Sequence, residues 1–245
     1  MAELTGATAE PAPPTVGDAF GWVARDPEWI TKLLLMGLIG LIPIVGGLQQ
    51  SGWLLTMLDN LRAGRNEVPA AGFRYATRGV WLWLAGVIYG VIFVFIFYGV
   101  FALFAVGVTA VGSIGSGDNG QHPNPFALVF IPLFFVWFAI LFIVSLVVWL
   151  FVPAVIELTD RKGLAGAFDI AGIIHAVRVD PQRNLAAGAL SLAAYFIAGL
   201  GVYLCWIGVI FTGPYGLTVL AGFLRWYEAN VKPGALPPPT AAAAR

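Results

Sequence analysis

Charge is what this chain has least of. Only 11% of its residues are charged against 59% hydrophobic, where soluble domains carry about 25% charged. That shortage excludes a soluble globule and places the chain in a bilayer. Cysteine is nearly absent too: Cys205 stands alone inside an apolar run, so an internal disulfide and a cysteine-based metal cluster are excluded. Formal net charge is zero, and without a basic field nucleic acid is not an expected partner. The phosphate-binding Gly-x-x-x-x-Gly-Lys-Ser/Thr, the His-Glu-x-x-His and the Gly-x-Ser-x-Gly patterns are all missing. The apolar stretches hold no Asp, Glu, His, Lys or Arg near their centres, which counts against a proton-coupled pump. No cofactor is expected, and the balance leans away from an enzyme.

Long uncharged runs are what the chain has instead. Residues 79–116, 126–156 and 185–224 contain no charge, and each exceeds the roughly 20 residues that span about 30 Å of hydrocarbon. The first two read as single long helices, and the third is long enough for two. A fourth apolar stretch, 30–62, is broken by Pro43, Gly46 and Gly47 and then shows Gln49, Gln50 and Ser51. It reads as a hairpin with its turn near those polar residues, or as a re-entrant loop in which they line a polar pathway.

Basic residues decide between topologies, because they collect on the cytoplasmic side of membrane proteins. If 30–62 and 185–227 each turn back, all thirteen Lys and Arg share one side with both termini. If each crossed once, Arg25, Lys32, Arg225, Lys232 and Arg245 would lie outside. The expected fold is therefore all-α: a polytopic bundle of about six membrane segments in three hairpins, with short amphipathic interfacial helices. The hairpins are 30–62, the long pair 79–157 and 185–227, and a cytoplasmic amphipathic segment covers 161–180. These belong to a single transmembrane domain, 16–229, with disordered tails at 1–15 and, Pro and Ala rich, at 230–245. The first tail has Glu3 and Glu10 and no basic residue, unlike a signal peptide. The segment 112–125, GSIGSGDNGQHPNP, is the expected external loop, and its Asp118-Asn119-Gly120 reads as a turn rather than a calcium loop.

Asp26-Pro27 and Asp180-Pro181 stand at matching places ahead of the first and last hairpins. Each aspartate suits a helix cap and each proline a first helical position. Each hairpin then closes on Leu-Arg, at Leu61-Arg62 and Leu224-Arg225, suggesting a parallel repeat. Gly86-x-x-x-Gly90 and Gly99 offer close helix packing, and tryptophans near span ends, Trp22, Trp53 and Trp81 among them, suit interfacial anchors.

Ile42-Pro43-Ile44-Val45-Gly46, Gly52-Trp53, Leu61-Arg62, Gly64, Val68-Pro69 and Gly79 together resemble the prokaryotic multi-pass membrane family called domain of unknown function 4013. The likeness runs more weakly through Gly166-Ala167-Phe168 to the last hairpin. Where that family tends to be acidic after Val-Pro, this chain has Ala70-Ala71-Gly72-Phe73-Arg74. The resemblance implies a fold and no activity.

Candidate polar residues are few. Gln49, Gln50 and Ser51 form the turn or a polar pathway. Asp59 and Arg62, three apart on one helical face, form a surface pair or a gate. Glu157 follows Pro153 and faces the interface or a cavity, with Asp160 close by. Asp169 and His175 share the amphipathic segment, where the histidine is a surface residue or, less fittingly, a metal ligand. Three functions fit: a non-enzymatic inner-membrane component, both termini cytoplasmic, binding lipid or a membrane or cytoplasmic protein through its cytoplasmic helices; a pore or carrier for a small solute using the broken hairpins; or a lipid-modifying enzyme using acids at the cytoplasmic face. Partners expected from this reading are the lipid bilayer, a protein partner or a second copy of the chain.

Overall fold

The computed structural model describes residues 13–114, 125–203 and 207–238, without the side chains of 108, 110–114 and 125–131. The Asp118-Asn119-Gly120 turn, residues 1–12 of the first tail and 239–245 of the second lie outside the described residues. Among the described residues every regular element is a helix. A short helix α1 (Asp18–Gly21) and a 3-10 turn (Trp22–Arg25) lead into α2 (Trp29–Gly40) and α3 (Val45–Arg62). The long pair α4 (Ala76–Ile114) and α5 (Pro125–Trp149) follows, then three short helices, α6 (Val152–Lys162), α7 (Leu164–Ala167) and α8 (Ile170–Val179). The last hairpin is α9 (Pro181–Gly199), a 3-10 turn (Leu200–Tyr203) and α10 (Val209–Asn230). Three stretches, Ala76–Gly107, Pro132–Trp149 and Pro181–Tyr203, are long and apolar enough to cross a membrane.

Proline and a strained residue make the first hairpin. After α2 the chain turns at 41–44, where Val45 N–H donates to the Pro43 carbonyl at 2.7 Å and Ile44 takes φ 65°, ψ −58°. This is the left-handed γ-turn, a strained form. The turn expected at Gln49–Ser51 is therefore corrected: those residues lie in the first two turns of α3. Ser51 fits there because its hydroxyl donates to the Gly47 carbonyl at 2.9 Å, and Gln49 because its Oε1 accepts from Tyr75 N–H at 2.8 Å.

Both Asp-Pro pairs clasp a hairpin. Asp180 caps α9 by accepting from Arg183 N–H at 3.3 Å, with Pro181 next. Its other oxygen accepts from Lys232 N–H at 3.3 Å, just beyond α10. Asp26 sits outside α2 rather than at its cap, and accepts from Glu28 N–H at 2.9 Å, Lys32 Nζ at 2.7 Å and Val68 N–H at 2.8 Å, just beyond α3. So each buried aspartate ties the entrance of a hairpin to its exit, one residue before Pro69 or Pro233. A carboxylate receiving several donors is well stabilised when charged. Burial alone would push Asp26 up, yet these bonds hold it below the ordinary aspartate value.

The core lies between α2, α3 and α10, where Leu33, Met36, Trp53, Leu58, Leu220 and Phe223 are buried. Trp22 and Trp53 belong to it and are not interfacial anchors: their indole N–H groups donate to the Thr218 and Pro69 carbonyls, each at 3.0 Å. The packing glycines also differ from expectation. A Cβ on Gly86, Gly90 or Gly99 would meet nothing within 4 Å, whereas one on Gly79 would lie 2.3 Å from Gly52 N and one on Gly52 2.0 Å from the Tyr75 carbonyl oxygen. The close crossing is thus α3 on α4.

Candidate functional site

Where α3 ends, its last arginine turns inward to meet α6 and α10. Arg62 donates through Nη2 to Glu228 at 2.6 Å, through Nη1 to Asp160 at 2.7 Å and Asp59 at 3.0 Å, and through Nη2 to Glu157 at 3.3 Å. Arg78, in the first turn of α4, reaches Asp59 at 3.1 Å and Asp160 at 2.5 Å. Arg161, one turn beyond Glu157 on α6, reaches Glu157 at 3.2 Å and Glu228 at 2.8 Å. Four helices are stapled together by one network whose Glu157 and Asp160 side chains are fully buried. Such burial holds only when each charge is matched.

Three arginines hydrogen-bond these four carboxyls, and Arg225 stands at the edge, 3.9 Å from Glu228. Burial pushes Glu157 well above the ordinary glutamate value, and the neighbouring Glu228 charge and a carboxyl–carboxylate hydrogen bond add to it. Glu228 is also pushed up by burial, but bonds from Arg62 and Glu157 and the arginine charges outweigh that and leave it below its ordinary value. Burial and the Glu228 charge favour a proton on Glu157, whose Oε1 has no partner among the described residues. Because Glu157 is raised, its contribution to stability is complete in acid and is lost as pH rises through its elevated value; Glu228, being lowered, loses its contribution as pH falls through its depressed value. Glu157→Gln is accordingly expected to melt within about 1 kcal/mol of the parent at neutral pH and to lose less stability on the alkaline side, whereas Glu228→Gln costs about 3 kcal/mol, the cost of stranding buried partners. Thermal melting in detergent across pH 6 to 9 checks both, and equal losses for the two variants would contradict the assignment of the proton.

Of the residues singled out from sequence, Asp59, Arg62, Glu157 and Asp160 are brought together here. Asp169 and His175 are not. Asp169 caps α8 through Gly172 N–H at 2.8 Å and pairs with Lys162 at 2.6 Å, and His175 Nε2 lies 3.2 Å from the Gly234 carbonyl oxygen. Arg78, Arg161 and Glu228 were missed, although Arg161 stands four residues after Glu157, the spacing of a helical ion pair. Among the described residues no three of His, Cys, Asp and Glu are placed to hold a metal ion.

Beside the network opens a groove of about 970 Å³, lined by Asp18, Trp22, Arg25, Leu61, Asn66 and Arg225 among others. Arg25 pairs with Asp18 at 3.3 Å, more than half exposed. Arg225 links the groove to the network through Glu228 at 3.9 Å. Two guanidinium groups over an apolar floor suit an anionic group attached to an apolar body.

No curated protein and no solved structure matches this chain. The family described as "Protein of unknown function (DUF4013)" matches residues 35–211, a stretch that holds the Asp180-Pro181 entrance, the crossing of α3 on α4 and all of the ion network except Glu228. The chain is a member of that family.

Proposed function

We propose that this is a non-enzymatic component of a prokaryotic inner membrane, with both termini cytoplasmic and three hairpins entering the bilayer from that side, and that its polar end binds lipid or a protein partner. One observation carries this reading: the acids that a membrane enzyme would need at its polar face are neutralised inside the protein by Arg62, Arg78 and Arg161, while the groove between Arg25 and Arg225 is open to the outside. Neutralised acids are poor general acids or bases for an external substrate. The pore reading is less well supported, since Gln49 and Ser51 spend their polar atoms on Tyr75 and Gly47 within the fold.

The test is native mass spectrometry of the protein released gently from its own membrane. The expected result is a bound lipid or protein in fixed ratio, lost in the Arg25→Glu, Arg225→Glu double variant. A homogeneous chain carrying neither, with the double variant indistinguishable from the parent, would refute the proposal.

A further inference from the structure

The three hairpins differ in reach, and helix register gives the difference. In the central pair Phe101 and Phe104 of α4 pack on Phe134 of α5, with ring centroids 6.4 and 5.2 Å apart. The helices are antiparallel, so the foot of α5 at Trp149 is level with residues 86–89 of α4. In the first hairpin Gly52 lies against Gly79, and Gly47 against Trp83. Continuing that register sets its 41–45 tip level with residues 85–89 of α4. In the last hairpin a Cβ on Gly188 would lie 2.5 Å from the Leu150 Cα, and the eleven steps from Gly188 to Gly199 add about 16 Å at about 1.5 Å per residue.

Above residue 89, α4 continues to Ile114, about 37 Å at about 1.5 Å per residue. The 25 residues of α5 have the same length. Each alone covers the roughly 30 Å of a bilayer core. If instead the other two hairpins reached the far surface, about 20 Å of this pair would project beyond it into water, with Leu103 and Phe135, 74% and 65% exposed, at its sides. Such side chains cost about 1.5–3 kcal/mol each in water, and several would cancel the whole stability of a domain, about 5–15 kcal/mol. The near boundary is marked independently. Tyr89 donates to the Ala167 carbonyl and stacks on Phe168 at 5.3 Å, next to the exposed Lys162–Asp169 pair, so headgroups and water lie at that level.

We infer that only α4–α5 crosses the bilayer: α2–α3 turns at the near boundary, level with residues 85–89 of α4, and α9–α10 enters from the same polar end and turns back inside the core. Their tips are apolar and uncovered, with Leu38, Ile42 and Ile44 on one and Phe196, Tyr203 and Ile207 on the other, continuous with the lipid-facing wall of α4–α5. The surroundings that fit them are lipid: the zone where headgroups meet acyl chains for the first tip, and the acyl layer for the second. Pro181–Tyr203 is long and apolar enough to cross, but its first residues are held at the polar end by Asp180 and Asn184, which bonds the Leu150 carbonyl at 3.0 Å. Within the core the crossing pair is therefore joined by the α9–α10 tip, and the pair alone reaches the far surface. This does not depend on what the groove binds.

The experiment places single cysteines at Ile42, Ile207 and Ser116 in a Cys205→Ser background. Impermeant maleimide added to intact cells is expected to label Ser116→Cys and neither tip variant. A spin label at Ile207 in bilayers is expected to be relaxed by oxygen and shielded from a water-soluble nickel complex, and one at Ile42 to lie shallower, at the near boundary. Labelling of either tip from outside, or relaxation of the Ile207 label by nickel, overturns the inference. The two hairpins report separately, so one variant that fails to fold does not remove the test.

Discussion

Arg62→Ala is expected to abolish the folded state or to lower its stability by about 3–5 kcal/mol, the cost of breaking a buried ion pair by removing one partner. The variant strands Asp160 and Glu157, whose side chains have no exposed surface, and withdraws three bonds from Glu228. Arg78 and Arg161 are each shared already with two carboxylates, so neither can compensate fully. Arg62→Lys restores the charge without the planar fork that serves four carboxyls at once, and is expected to recover less than half of the loss. Melting temperature in detergent and yield of monodisperse protein read both; an Arg62→Ala protein as stable as the parent would show that the network is not a staple.

Gly52→Leu is the second large effect. Its Cβ alone would lie 2.0 Å from the Tyr75 carbonyl oxygen and 2.9 Å from Gly79 N, and backbone on both sides of the crossing cannot step aside as a side chain would. Overpacking in a filled core costs about 1–3 kcal/mol and more where backbone must shift, so separation of α3 from α4 is expected, with loss of the Arg78 bonds. Gly86→Leu and Gly90→Leu, which meet open space, are expected to melt within about 0.5 kcal/mol of the parent, as surface substitutions do. The contrast distinguishes a contact made by the fold from a motif read off spacing.

That contrast also shows where the sequence stops being legible. Helical class, apolar runs and the two Asp-Pro entrances are local properties, and composition and spacing display them. The α3–α4 crossing is not local: nothing near Gly52 distinguishes it from Gly86, because what matters is the backbone that Gly79 brings from 27 residues away. The ion network is similar. Asp59, Arg62, Glu157 and Asp160 stand out as charges at the ends of apolar runs, yet their meeting joins positions 95 and 98 apart, which no pattern in a single sequence records. The glutamines misled because Gly46-Gly47 looked like the break, while the turn is made one step earlier by Pro43 and a positive φ at Ile44, a conformation that Ile rarely takes. Trp22 and Trp53 misled in the same way. A tryptophan at the end of an apolar run suits an interface, and only the carbonyls of Thr218 and Pro69 reveal that these two are core.

Everything proposed for the polar end requires that its exposed elements share the cytoplasmic side. The direct measurement is labelling of Ala63→Cys, just past α3, and Ala171→Cys, on α8, with an impermeant maleimide in the Cys205→Ser background. Both positions are exposed, so neither burial nor packing would mask them. Labelling of both only after the cells are permeabilised is the predicted result; labelling of either in intact cells would contradict the one-sided polar end.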